Sequence, residues 1–351
     1  MITGFATREG TAHYAARFDG PKAAGFYREA AGCWVSSLGL GTYLGEIDDA
    51  TDAAYSVSIT EAVRSGVNLL DSAINYRHQR SERSVGAALG ALLEAGELQR
   101  DEIVVSTKAG FLTTGATDPA TLKPDEIVGR VHSMAPDFLS DQIDRSRNNL
   151  GLDTIDVFYL HNPETQLAQI DRLKFEERMH AAMKRLEMAV AEGRIRCYGT
   201  ATWNGYRTGD ADTRLDLDRV LEIARDASGE DHHFRIIQLP FNLAMTEAAV
   251  AADGRLPVLE VARKAGISVV GSATLLQGRL PANLPGSAGE AIPGLTTAAQ
   301  RAIQFARSVP GISSALVGMG NVEHLRENLG VAQVPPMDQE KCQGYWENTK
   351  L

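Results

Sequence analysis

Four residues of complementary chemistry stand where three successive apolar runs stop: Asp71, Tyr76, Lys108 and His161. The runs cover 67–70, 103–107 and 155–160, and each reads as a buried parallel strand followed by an ionisable group. A carboxylate, a phenol, an amine and an imidazole placed this way suit proton transfer to or from an oxygen. An unperturbed tyrosine has a pKa of about 10 and is a poor acid at neutral pH. An ammonium such as Lys108 beside Tyr76 stabilises the phenolate and lowers that value. In this reading Asp71 pairs with Lys108 and keeps it charged, while His161 donates a hydrogen bond that orients a carbonyl oxygen. Together the four can protonate the alkoxide formed when hydride reaches a carbonyl carbon. No side chain is a hydride donor, so the reaction needs a redox cofactor.

The elements that must position this group alternate along the chain. Strands are expected near 38–42, 67–70, 103–107, 154–160, 195–199, 235–239, 267–271 and 314–317. Helices are expected at 51–65, 81–94, 139–150, 176–192, 215–227, 255–265, 297–308 and 321–329. Ser140 or Asp141 is the expected cap of the third helix, and Gly66, Gly151, Gly193 and Gly266 sit where helices end. Eight strand–helix units make the α/β (β/α)8 TIM barrel the expected fold class, with catalytic groups at the C-terminal strand ends. The organisation read here is one barrel domain: an extension or hairpin over 1–37 covering the barrel bottom, the barrel at 38–330 and a tail at 331–351. The loops 109–138, 162–175, 201–214 and 272–296 exceed what simple connections need, which marks them as functional.

Composition narrows the class of partner. The chain has 351 residues, 44% of them apolar and 23% charged, as an ordinary globular protein has. Its 35 basic and 45 acidic residues give a net charge of −10, which disfavours nucleic acid or an anionic membrane as a partner. The first residues lack a basic segment followed by an apolar one, and no apolar stretch approaches spanning length, so a cytoplasmic location is expected. Cys33, Cys197 and Cys342 are few and far apart, against a disulfide framework or a metal site. Whether the chain is a monomer or a homo-oligomer is left open. The run Gly39-Leu40-Gly41-Thr42-Tyr43-Leu44-Gly45 is not a dinucleotide fingerprint, because its third glycine is one residue late and no acidic residue ends the second strand.

The segments Asp71-Ser72-Ala73-Ile74-Asn75-Tyr76, Ser106-Thr107-Lys108 and Leu160-His161-Asn162-Pro163 resemble the catalytic motifs of the aldo-keto reductases. Gly39-Leu40-Gly41-Thr42-Tyr43 resembles that family's first strand, and the likeness runs over roughly 35–330. The resemblance implies a (β/α)8 barrel that binds an extended nicotinamide cofactor and interconverts carbonyls and alcohols. It implies Tyr76 as general acid/base, tuned by Asp71 and Lys108, with His161 orienting the substrate.

For the cofactor, the resemblance points to Gly41 and Thr42 at the barrel mouth, and to Asn162, Thr202 and Gln238 near the nicotinamide. Ala201-Thr202 replaces the family's usual Ser-Asn, and Ser272 stands where an aromatic platform is usual. Leu275, Gln277, Gly278 and Arg279 resemble the pyrophosphate loop. The segment Gly318, Met319, Asn321, His324, Glu327 and Asn328 would meet the adenosine end. NADP(H) is the expected cofactor and NAD(H) the close alternative. Tyr43, Arg77, His78, Phe111, Trp203, Tyr206 and Phe241, all just past strand ends, are the expected substrate contacts, favouring an apolar or ring-shaped carbonyl over a strongly anionic one. Two other readings stay open: a cofactor-sensing regulatory protein, and a non-redox lyase or epimerase that uses a retained cofactor.

Overall fold

The N-terminal 37 residues close the bottom of a barrel. In the computed structural model, which describes residues 1–342 except 19, 21, 119–121, 208–209, 253 and 284–293, they form a helix, α1 (Arg8–Ala16), and an antiparallel hairpin of β1 (Tyr27–Ala30) and β2 (Cys33–Ser36). Sequence patterning did not reveal α1, whose capping Thr7 accepts from Gly10 N and whose anchor is the buried Tyr14. Ala6, Ala30, Cys33 and Val35 pack against Leu69, Val104, Val157 and Ile236. Asp156 joins the two layers: it accepts from Ala6 N at 2.6 Å and pairs with Arg100 at 2.8 Å.

The barrel strands are β3 (Leu38–Gly41), β4 (Leu69–Asp71), β5 (Val104–Ala109), β6 (Ile155–His161), β7 (Ile195–Ala201), β8 (Phe234–Pro240), β9 (Ser268–Ser272) and β10 (Ile312–Gly318). They close in that order, β10 pairing with β3, and every pair is parallel. All residues of β5 and β6 are buried, as strands covered on both faces must be. The fold is thus the expected (β/α)8 barrel. Most strands run one or two residues past their expected ends, so Asp71, Lys108 and His161 lie inside strands rather than beyond them. Register then sets these groups side by side: Asp71 is opposite Ser106, Lys108 opposite Tyr159, and His161 opposite Ala201.

The outer helices are α2 (Asp49–Arg64), α3 (Arg80–Glu94), α4 (Pro136–Leu150), α5 (Arg172–Ala191), α6 (Leu217–Ser228), α7 (Val258–Lys264), α8 (Arg279–Asn283), α9 (Ala298–Ser308) and α10 (Val322–Asn328). Helix α4 begins at Pro136, whose missing N–H costs nothing at a first turn, so Ser140 and Asp141 lie inside the helix rather than capping it. Gly151 ends α4 at a φ of 68°, a conformation that costs a side chain energy. After α10 the chain packs back on the barrel, where buried Arg307 donates to the carbonyl oxygens of Val331 and Val334. Residues 343–351 of the expected tail lie outside the described residues. No helix among the described residues is long and apolar enough to cross a membrane.

Candidate active site

A cavity of about 780 Å³ opens at the C-terminal end of the barrel, and Asp71, Tyr76 and His161 line it. Lys108 lies beneath its floor, wholly buried. Its Nζ donates to Asp71 Oδ2 at 2.6 Å and to the Ser72 carbonyl at 2.7 Å, and sits 4.9 Å from the Tyr76 ring centre. The other Asp71 oxygen accepts from Ser106 Oγ at 2.8 Å and from Gln238 Nε2 at 2.9 Å. The carboxylate of β4 therefore meets three donors from two other strands, Ser106 and Lys108 of β5 and Gln238 of β8, which fixes it in place. Tyr76 follows β4 in a turn, its N–H bonded to the Ala73 carbonyl at 3.0 Å.

The next three residues, Arg77, His78 and Gln79, all adopt left-handed backbone, an expense that recurs at functional sites when surrounding bonds impose it. Arg77 supplies those bonds. It donates to the Glu46 carbonyl at 2.7 Å and pairs with Asp52 at 2.5 Å. This turns Arg77 away from the cavity and leaves His78 in solvent, so neither is where a substrate contact was expected.

Burial, more than neighbouring charge, decides the protonation of the site. Burial raises the Tyr76 pKa, and the lowering effect of the Lys108 ammonium does not cancel it. The expected acidification is thus reversed, and the phenol is protonated at neutral pH, the state a proton donor requires. Burial alone would push the Lys108 ammonium down, but Asp71 and Tyr76 beside it more than compensate and raise it. Burial, then the Lys108 charge, holds His161 well below its ordinary value, so its imidazole is neutral. Burial likewise holds His132, which bonds the His161 carbonyl, at about 4.

A stability effect follows from that value. The unfolded chain takes up this proton near pH 6.5 and the folded chain only near pH 4, so stability is full above 6.5 and falls as pH drops through that window. At pH 5 the loss from His132 is about 2 kcal/mol. Urea midpoints at pH 7 and pH 5 check it: His132→Gln should lose less than the wild-type protein on acidification, and equal losses would refute the assignment.

The cavity gathers most of the expected cofactor residues. Gly41, Thr42, Asn162, Thr202, Gln238 and Ser272 line it at or just past the strand ends. Leu275, Gln277 and Gly278 line it from the loop after β9, and Gly318, His324, Glu327 and Asn328 from β10 and α10. Three expected contacts are elsewhere. Arg279 is exposed and bonded only weakly to Gln277 at 3.4 Å, Met319 is wholly buried in the core, and Asn321 caps α10 through Glu323 N.

Of the aromatics, Tyr43, Phe111 and Trp203 line the cavity. Tyr206 instead bonds Thr200 Oγ1 at 2.8 Å in the core, and Phe241 stacks on Phe305 behind the barrel. Asn75 and Thr274 line the cavity without having been singled out, although Asn75 sits one residue before Tyr76 and Thr274 two residues past β9. Asn75 Oδ1, His161 Nδ1, Thr202 Oγ1 and Thr274 Oγ1 are buried without hydrogen-bond partners. Each such atom costs roughly 1–3 kcal/mol unless a ligand satisfies it. A long pocket edged with unsatisfied donors and acceptors fits a nicotinamide dinucleotide.

The Aldo/keto reductase family model matches residues 37–287. A D-threo-aldose 1-dehydrogenase from a Pseudomonas species is 31% identical over 211 residues, 56% of this chain and 59% of that one. L-galactose dehydrogenase of Arabidopsis thaliana is 25% identical and covers 88% of this chain and 89% of its own. Among solved structures, an aldo/keto reductase from Klebsiella pneumoniae in complex with NADP and acetate superposes with a TM-score of 0.66 at 18% identity, covering 93% of this chain and 96% of that one.

Proposed function

Because the chain belongs to the aldo-keto reductase family of nicotinamide-dependent oxidoreductases, we propose that it interconverts a small neutral carbonyl compound and its alcohol, with Tyr76 moving the proton. The observation that carries this reading is the buried contact of Lys108 with Asp71 directly under the Tyr76 ring, at the floor of an open cavity. When bound, the cofactor donates or accepts hydride, which no residue here can do. Thr202, Gln238, Asn162 and Ser272 would hold its nicotinamide end, Gln277 and Gly278 its phosphates, and His324 and Asn328 its adenosine end. NADP(H) is the form proposed, in keeping with the NADP named for the Klebsiella neighbour.

The chain's own residues perform the rest. His161, neutral and partly enclosed by Phe111, donates to the carbonyl oxygen and aims it at the phenol. Tyr76 then gives its proton to that oxygen as negative charge develops there, and Lys108 stabilises the phenolate that remains. In the oxidative direction the same groups take the proton back.

Among the described residues lining the cavity there is no lysine or arginine, so a carboxylated substrate would be desolvated without a counter-ion. The exposed aromatics Tyr43 and Trp203 offer flat apolar faces at the rim. Neutral rings suit such a site, and the aldose and galactose in the names of two relatives are of that kind. Turnover of 4-nitrobenzaldehyde, an aldose and 4-carboxybenzaldehyde, each with NADPH and NADH, tests the reading. The neutral aldehyde should exceed its carboxylated counterpart in kcat/KM by about tenfold or more. A preference for the carboxylate would reject the substrate class, and no turnover of any carbonyl would reject the reaction.

A further inference from the structure

A second histidine, outside the cavity and unused by the proposed proton transfer, lies directly behind His161. His132 belongs to the loop between β5 and α4 and is wholly buried. Its Nε2 is 2.7 Å from the backbone oxygen of His161, the last residue of β6. Its Nδ1 is 2.8 Å from Gln166 Nε2. A carbonyl can only accept, so Nε2 carries the proton and Nδ1 accepts from the Gln166 amide. Gln166 Oε1 in turn accepts from Arg178 Nη1 at 2.5 Å, and Arg178 is a residue of α5. The bonds therefore run without a gap from an outer helix to the strand end that bears the active-site imidazole.

Two further contacts tie His132 to the same point. Its ring meets Phe111 edge-on, with centres 5.2 Å apart, and Phe111 meets the His161 ring edge-on at 5.0 Å. Gly110 allows this approach, because a Cβ there would stand 2.5 Å from the His161 oxygen and 2.7 Å from His132 Nε2. The His161 ring is otherwise held by its edge contact with Tyr76, and its Nδ1 has no hydrogen-bond partner. We propose that His132 is a positioning residue: it fixes the β6 end and the Phe111 face, and thereby the imidazole that orients the substrate oxygen. This rests on the carbonyl-reducing role given to His161 above.

The test compares His132→Leu, His132→Gln and Gln166→Met by steady-state reduction of 4-nitrobenzaldehyde, cofactor Kd from fluorescence, and the 15N signals of the His161 ring. His132→Leu should lower kcat roughly 10- to 100-fold with cofactor Kd within about twofold, the loss expected for a small misplacement of an orienting group. His132→Gln keeps an amide donor facing the His161 oxygen and should retain about a third or more of kcat. Gln166→Met, with His132 intact, should fall between them, and it decides the matter should His132→Leu fail to fold. Wild-type kcat in a folded His132→Leu, or in Gln166→Met if that variant must decide, would overturn the proposal. So would equal losses in the Leu and Gln variants, or cofactor affinity falling in step with kcat. If the wild-type protein reduces no carbonyl, the proposed carbonyl reduction fails. The ring signals then judge positioning by themselves: broadened or doubled in His132→Leu and single in His132→Gln supports it, and no change in His132→Leu overturns it.

Discussion

Tyr76→Phe should lower kcat for carbonyl reduction by roughly 10³- to 10⁴-fold while leaving cofactor Kd within about twofold. The substitution removes one oxygen and keeps the ring, so the edge contacts with Tyr43 and His161 persist. Stability should therefore hardly change, and the loss belongs to the proton. Because burial keeps the wild-type phenol protonated at neutral pH, its reductive rate should also be flat between pH 6 and 8. Stopped-flow oxidation of the reduced cofactor, read at 340 nm, measures both. Turnover of Tyr76→Phe within tenfold of wild type would remove Tyr76 from the role assigned to it.

Lys108→Met should damage activity and stability together. The ammonium is wholly buried, and Asp71 beside it is 4% exposed, so deleting the amine leaves a carboxylate with only Ser106 and Gln238 as donors. Breaking a buried pair from one side costs about 3–5 kcal/mol, because the remaining charge is uncompensated. The pairing has a second consequence that separates stability from chemistry. In Asp71→Asn/Lys108→Met both charges are gone, and most of the lost stability should return, since well-packed neutral residues often replace such pairs at little cost. Activity should not return, because the phenolate formed on proton transfer has lost its ammonium. Urea denaturation alongside kcat tests this. A double variant as unstable as the single one, or one that regains turnover, would contradict it.

The barrel was readable because its strands are short apolar runs buried on both faces, each followed by an amphipathic stretch. The polar quartet was readable for the same reason, since Asp71, Lys108 and His161 are conspicuous beside such runs. Strand ends were not readable to the residue. Lys108 is paired internally and His161 borders the cavity, yet both continue a fully buried strand, so nothing in local composition separates them from loop residues. Side-chain direction was lost at the same places. Tyr206 and Phe241 are aromatics past strand ends, where the alternation that fixes direction stops, and both turn into the core. Arg77 was misdirected because three successive left-handed residues follow Tyr76, a conformation their types do not announce. The sign of the Tyr76 shift needed burial, which depends on long-range packing; sequence supplied only the neighbouring amine. Asn75 and Thr274 carry no signal as residue types, and only their unpartnered oxygens single them out.

Proton donation by one phenol to an oxygen aimed by one imidazole is a claim about geometry, and a crystal structure of the protein with its cofactor and an unreactive carbonyl ligand tests it most directly. The carbonyl oxygen should lie within about 2.6–3.2 Å of both the Tyr76 hydroxyl and a His161 ring nitrogen. A ligand seated in the cavity with its carbonyl bound elsewhere, and the Tyr76 hydroxyl facing no substrate oxygen, would contradict it.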